Sequence, residues 1–355
     1  MKFTSTILLF FICQVYFSQS FKWVKNIAGL DDIEIKKIVH LQNDNFLLAG
    51  NYEGSINFDN QLISSIGNKD FFISKQDSSG NLIWIKSFGG FDDVEIEDIS
   101  VNNDNKIFIC GTFEGNILLD SILLSNTSGK NAFLAKLDSN GNLEWAKNFE
   151  SNDDVEANSI EIDFYKNKLS FLAEYESSVQ FDSINLISFG NKSLLFSRFN
   201  SNGTCDWFRE ISSQDEIKAN CLGHDSIGNI YSYGTFDGNI FFQNTILSNS
   251  SDKDIFLIKT DTLGNLVWTK TVGGSDDVEG SRFFIRDTNL FIIGTFSGTA
   301  NFQNTSISSF GDEDGFLASI SLENNESWVS SINSSDDVSP SDIYVDSENN
   351  IYIIG

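Results

Sequence analysis

Between residues 94 and 149 apolar and polar positions alternate in short runs, and turn-forming residues interrupt those runs. Ile96 to Asn102 alternates with the period of two that puts successive side chains on opposite faces of a strand. Asn103 to Asn105 then make a turn, Lys106 to Phe113 a second strand, and Asn116 to Ser125 a hairpin-like stretch. Ala132 to Leu137 is a third strand, DSNGN a tight turn, and Leu143 to Phe149 an outer strand. The Asp and Gly of that turn suit a short hairpin with one residue at positive φ. Helical periodicity is missing after residue 20, so the pattern predicts an all-β chain.

The pattern recurs. Trp23, Trp84, Trp145, Trp207, Trp268 and Trp328 are separated by 61, 61, 62, 61 and 60 residues. Nine residues after each Trp comes the second member of an acidic pair. The pairs are Asp31 and Asp32, Asp92 and Asp93, Asp153 and Asp154, Asp215 and Glu216, Asp276 and Asp277, and Asp336 and Asp337. About 27 residues after each Trp a strand ends on a small residue: Gly50, Gly111, Ala173, Gly234, Gly294 or Gly355. A fixed period of this length marks a repeat architecture. Four core strands in about 60 residues suit a β-propeller blade with an added hairpin, since common blades take roughly 40–50. The predicted domain is a β-propeller over 21–355, with repeats near 21–81, 82–142, 143–204, 205–265, 266–325 and a partial 326–355. That last repeat stops after two strands, which predicts an incomplete chain or a frayed half-blade with an exposed edge.

The segments NAFLAKLDSNGNLEWAKNF, FGGFDDVEIEDISV and CGTFEG resemble the bacterial beta-propeller repeat family of the SBBP type. The resemblance covers nearly all of residues 21–355. It implies secreted, often very large surface proteins, mostly without known activity. The third repeat departs from the pattern, with Ala173-Glu174-Tyr175 in place of G-T-F and no Gly pair after Trp145, so altered turn geometry is expected there. The six tryptophans are expected to pack between adjacent sheets. A likeness of the GNLxW turn to quinoprotein blades, which would imply cofactor docking, extends to that one turn.

Composition adds location and excludes some partners. Residues 1–20 read as a secretory signal peptide, with Lys2, the apolar stretch Ile7 to Ile12, and small Ser18 and Ser20 at the cleavage site. Their apolar run is shorter than the roughly 20 residues that span a bilayer. The expected product is secreted, extracellular or at the cell surface, as a monomer or part of a longer chain. Removing Lys2 and no acid takes the net charge from −27 to −28. Such a field opposes nucleic acid and anionic membranes, and favours cations and basic partners. Of the cysteines that remain, Cys110 and Cys205 align with apolar residues of other repeats, and the odd total of three argues against a disulfide framework. Pro340 is the one proline, so turns rely on Gly, Asn, Asp and Ser.

Three sets of residues offer chemistry. The acidic pairs Asp31, Asp32, Asp92, Asp93, Asp153, Asp154, Asp276, Asp277, Asp336 and Asp337 ring one face and are candidates for Ca²⁺, a hard cation that takes six to eight oxygens. They lack an alternating D-x-D-x-D-G pattern, and short Asp side chains also accept backbone N–H bonds in turns. His40 and His224 share one column with Val101, Ile162, Ile285 and Val345, which predicts hydrogen-bonded core histidines and leaves a zinc site or a His-based triad without support. Fourteen and sixteen residues after each Trp the repeats disagree, and Lys37, Asp98, Glu161, Arg282 and Tyr344 from those columns are candidates to line a ligand channel. Asn-x-Ser/Thr triplets at Asn126, Asn191, Asn202, Asn249 and Asn304 are expected by chance in so Asn- and Ser-rich a chain. The reading is an exported, acidic, non-catalytic propeller that binds or adheres to a glycan, surface protein or matrix component. The alternatives are a propeller-based lyase or glycosidase and a structural spacer of a larger surface protein.

Overall fold

The structure is a computed structural model that describes residues 23–29, 31–164, 166–323 and 327–355. The predicted signal peptide lies outside the described residues. The described chain is all-β, and its strands fall into repeated four-stranded antiparallel blades. Blade 1 runs Ile33–His40, Phe46–Phe58, Gln61–Gln76 and Leu82–Gly90, from inner to outer strand. Blade 2 is Val94–Val101, Ile107–Phe113, Asn131–Leu137 and Leu143–Phe149. Blade 3 is Val155–Asp163, Lys168–Phe181, Ile184–Asn200 and Cys205–Ser213. Blade 4 is Ile217–His224, Ile230–Phe236, Asp254–Thr260 and Leu266–Gly274. Blade 5 is Val278–Arg286, Asn289–Phe302, Thr305–Ser321 and Ser327–Ile332. A terminal hairpin follows, Asp342–Val345 with Ile351–Ile354.

The extra residues of each repeat form a hairpin between the second and third strands. In blades 1, 3 and 5 this hairpin continues those strands unbroken. In blades 2 and 4 it is separate, as Asn116–Leu119 with Ile122–Ser125 and Asn239–Phe242 with Thr245–Ser248. Its first half pairs with the outer strand of the preceding blade: Gly89 and Gly90 face Leu118 and Ile117, and Gly273 and Gly274 face Asn301 and Ala300. The approach is close at these two seams, since a Cβ on Gly90 would meet the Asn116 carbonyl at 2.5 Å and one on Gly274 the Thr299 carbonyl at 1.9 Å, whereas between blades 3 and 4 Ser212 and Ser213 pair with Phe241 and Ile240. The seam between blades 2 and 3 is one bridge, Glu150 with Gln180. The turn of the third repeat keeps the geometry of the others, with Ser177 at φ 52° where Gly54 and Gly115 stand at 65° and 61°.

The cores lie between blades and are built from β-branched and aromatic residues, as pleated, half-buried surfaces require. Between blades 1 and 2, Phe71 stacks on Phe88 and Phe133 at 5.2 and 5.7 Å between centroids. The tryptophans join blades at the periphery and are half-buried or exposed; none is in the fully buried core. Trp84 and Trp145 lie over Gly141 and Gly203, in the outer turn of the next blade. The Trp145 and Trp207 indole N–H groups donate to Ser201 and Thr262 carbonyls of those turns, each at 3.1 Å. They lie between adjacent blades but at the rim and only half-buried, so truncation costs less than the ~3–5 kcal/mol of a fully buried aromatic.

Candidate functional site

Every inner strand of the five blades carries a β-bulge against its second strand, between Ile35 and Lys37, Ile96 and Asp98, Ala157 and Ser159, Ala219 and Cys221, and Gly280 and Arg282. A bulge adds one residue and re-aims the next side chain. Ile96 and Ile99 thereby both point into the core, while Asp98 and Ser100 point to the axis on which the inner strands converge.

Lys37, Asp98, Glu161 and Arg282 come together on this axis from blades 1, 2, 3 and 5. Lys37 Nζ lies 2.6 Å from Asp98 Oδ1. Asp98 Oδ2 accepts the Ile160 N–H at 3.0 Å and the Ser159 hydroxyl at 3.1 Å, both from blade 3. Ser159 Oγ accepts the Leu222 N–H of blade 4 at 3.1 Å, and Ser100 Oγ the Ile162 N–H at 3.1 Å. Polar side chains of one inner strand thus satisfy N–H groups of the next. The Asp98 carboxylate is 2 % exposed, so its bonds are desolvated ones.

Burial alone would push the Asp98 carboxyl up, but Lys37 and Arg282 more than offset it and hold it below the usual range. The Glu161 side chain makes no hydrogen bond among the described residues, and burial pushes its carboxyl up to about 7, with Lys37 opposing and Asp98 adding to the rise. Arg282 lies 4.0 Å from the exposed Asp342 and is also acted on by Asp98 and Cys221. Tyr344 sits apart from the charged group, edge-on to Phe284 at 5.4 Å, and is 56 % exposed. Cys221 lies beside Arg282, with its thiol pushed up to about 11 by burial.

The acidic pairs are held in inter-blade turns. Carbonyls of Asp32, Asp93, Asp154, Glu216 and Asp277 accept N–H bonds from Glu53, Glu114, Glu176, Asp237 and Ser297 at 2.9–3.0 Å. Asp93 and Asp154 side chains accept the Lys69 and Lys130 N–H groups at 3.3 and 2.9 Å. Asp276 and Asp277 are joined by Asp252, which the sequence pattern did not single out, with one oxygen of each within 4.8 Å of the others. With one oxygen each, the three carboxylates supply three of the six to eight oxygens Ca²⁺ takes, and Lys253 Nζ lies 3.9 Å from Asp277. The expected outcome is one melting midpoint, shared by calcium-saturated and EDTA-treated protein in a calorimetric scan. A rise of several degrees with calcium would establish a site.

The two histidines part company. His224 lies between blades 3 and 4 with Nε2 3.0 Å from Ser170 Oγ, and burial lowers it to about 4, with Asp163 opposing and Arg198 adding to the fall. His40 is exposed, edge-on to Phe46 at 5.4 Å and 3.6 Å from Asp44, because no described strand covers that side of blade 1. This corrects the core placement expected for His40. Between pH 6.5 and 4 an unfolded His224 binds a proton that the folded one refuses, so stability falls as pH drops through that window and levels off below it. His224→Gln should remove a drop of at most about 3 kcal/mol between pH 7 and 4, read from urea midpoints at each pH. Glu97 and Glu161, both raised to about 7, act in the opposite sense and gain stability as pH falls from 7 toward 4.5.

No family model matches the chain, and no curated protein matches it. Among solved structures, it is similar to the WD40 domain of SCAP from fission yeast at 10% identity, over 90% of this chain and 93% of that one, with a TM-score of 0.29. The propeller reading rests on the blade topology of the chain itself. Among the described residues no helix is long and apolar enough to cross a membrane.

Proposed function

We propose that the chain is an exported, non-catalytic propeller of the SBBP-like repeat type that binds a glycan or surface protein, with the axial group as its ligand site. The observation that supports this is the convergence of Lys37, Asp98, Glu161 and Arg282, each unique to its blade. Identical residues would give a ring of equal weak sites, whereas four different ones give a single asymmetric site. Arg282 supplies a planar donor fork for a carboxylate, sulfate or carbonyl group. The test is a glycan array and a panel of extracellular proteins probed with wild type and with Lys37→Met/Arg282→Met. The double variant is expected to lose at least tenfold in affinity for any ligand found, with its melting curve still cooperative. Unchanged binding would move the site off the axis.

A carbohydrate-active enzyme is the second reading, because Asp98 and Glu161 are carboxylates whose environments push their pKa values apart. Asp98 is already saturated by Lys37, Ser159 and Ile160, which favours the binder. Turnover of a polysaccharide panel that is abolished by Glu161→Gln would reverse that preference.

A further inference from the structure

We infer that the cavity between blades 3 and 4, on the face of the acidic pairs, is a binding site for a sugar acid whose carboxylate is met by Lys192 and Lys218. The cavity shares no residue with the axial group. A comparison between seams carries the inference. Where blade 1 meets blade 2, Lys69 pairs with Glu95 at 2.7 Å. Lys130 pairs with Glu156 at 2.9 Å between blades 2 and 3, and Lys253 with Glu279 at 2.5 Å between blades 4 and 5. Each pair joins a lysine at or next to a third strand to the inner strand of the next blade, 26 residues on. Between blades 3 and 4 the matching residues are Lys192 and Lys218, two cations. After blade 5 they are Glu313 and Ser339, so facing lysines occur at the one seam.

Lys192 turns instead to Glu174 and Glu216, at 3.5 and 4.0 Å. The Lys218 ammonium has no ion pair or hydrogen bond among the described residues. The acids around the cavity are already engaged. Glu156 and Glu279 hold their lysines, and the buried Glu174 accepts the Ala219 N–H at 2.9 Å and the Asn158 amide at 3.0 Å. Asp237 accepts the Asn249 amide at 2.9 Å, and the Glu216 side chain is open to screening water. The charge left without a partner is therefore that of Lys218, at the place where other seams hold a carboxylate. The negative field of the whole chain fades beyond about 8 Å at physiological salt, so the two ammonium groups beside the ligand decide. The cavity measures about 450 Å³, against about 290 Å³ for the matching one between blades 2 and 3. Small-molecule sites begin at roughly 300 Å³, so the larger cavity has room for a monosaccharide. Asn158 also lines it, and its buried Oδ1 has no partner among the described residues, which suits it to accept from a sugar hydroxyl.

The test is calorimetric titration of the whole chain with glucuronic acid, and with glucose as the sugar that lacks the carboxylate. Saturable binding of glucuronic acid is expected, at least tenfold tighter than that of glucose. Lys218→Glu gives this seam the lysine–glutamate pair of the others and should weaken binding at least tenfold while the chain still melts cooperatively. Lys218→Met, which adds no negative charge at this exposed position, should do the same. Absence of saturable binding overturns the proposal, as does equal affinity for glucose, a comparison that leaves the protein untouched. Unchanged affinity in either folded variant overturns it too. Loss of binding in Lys37→Met/Arg282→Met with Lys218→Glu unaffected would put the sugar acid on the axis, supporting the axial site and overturning this one.

Discussion

Replacing Arg198 by methionine is expected to destabilise the chain by about 3–5 kcal/mol, the range for breaking a buried ion pair from one side. The Arg198 guanidinium donates to Asp163 Oδ2 at 2.8 Å, and the two side chains are only 3 % and 1 % exposed. Its other terminal nitrogen reaches the Thr262 carbonyl in the outer turn of blade 4 at 3.3 Å, so the residue ties two blades together. Removing it takes the guanidinium away from a carboxylate that is 1 % exposed. Urea denaturation measures the loss, and a drop under about 1 kcal/mol would show that the pair is better solvated than its burial indicates. Asp163→Asn in the same background should recover part of the loss, because the amide oxygen can still accept the Lys166 N–H while the buried negative charge is gone. Arg198 also holds His224 down, so the single variant should raise the His224 titration midpoint, visible in its ring resonances.

A comparable loss is expected from Gly111→Ala. A Cβ there would stand 2.1 Å from the Glu95 carbonyl and 2.5 Å from the Phe133 ring, which lies directly across the sheet. The inserted methyl has to displace backbone as well as side chain, which puts the cost at about 3 kcal/mol, the upper end for overpacking. The chain itself suggests the compensation. Gly50, Gly111, Gly234 and Gly294 each face a phenylalanine: Phe72, Phe133, Phe256 and Phe316. In blade 3, Ala173 faces Leu195. Combining Gly111→Ala with Phe133→Leu should therefore recover a measurable share of the thermal midpoint lost by the single change. No recovery would mean that the Glu95 carbonyl, not the ring, sets the clash.

Much of this was legible in the sequence, for reasons the structure makes concrete. The tryptophan period located the outer strands because every repeat must meet the turn of the next with the same ring. Lys37, Asp98, Glu161 and Arg282 were legible as candidates because two alternating columns of unlike residues in otherwise like repeats have to face a place where blades differ. The bulges at Lys36, Glu97, Asn158, Asn220 and Ser281 were not legible, since one extra residue in a strand leaves local composition unchanged and shows only in the register. Nor was the Arg198–Asp163 pair, because its partners are 35 residues apart and no local pattern joins them. His40 was misplaced for a different reason: alignment assigns a column to a face but does not say whether another blade covers it. The Ala173 substitution was visible as an oddity, and became meaningful only once Leu195 was found opposite.

The two hairpin forms alternate along the chain, and this sets a rule for anyone who would shorten, lengthen or graft it. Unbroken hairpins expose Ile66, Phe189 and Phe310 in the third strand, between its hairpin half and its blade half, while separate ones are tied by Asn126 and Asn249, whose amides donate to the Gly129 and Asp252 carbonyls. The true structural period is therefore two blades. Deleting or inserting one repeat would set two like hairpins side by side. Cutting or splicing by a pair of repeats keeps every neighbour it had before, so modular engineering of this scaffold should count blades in twos.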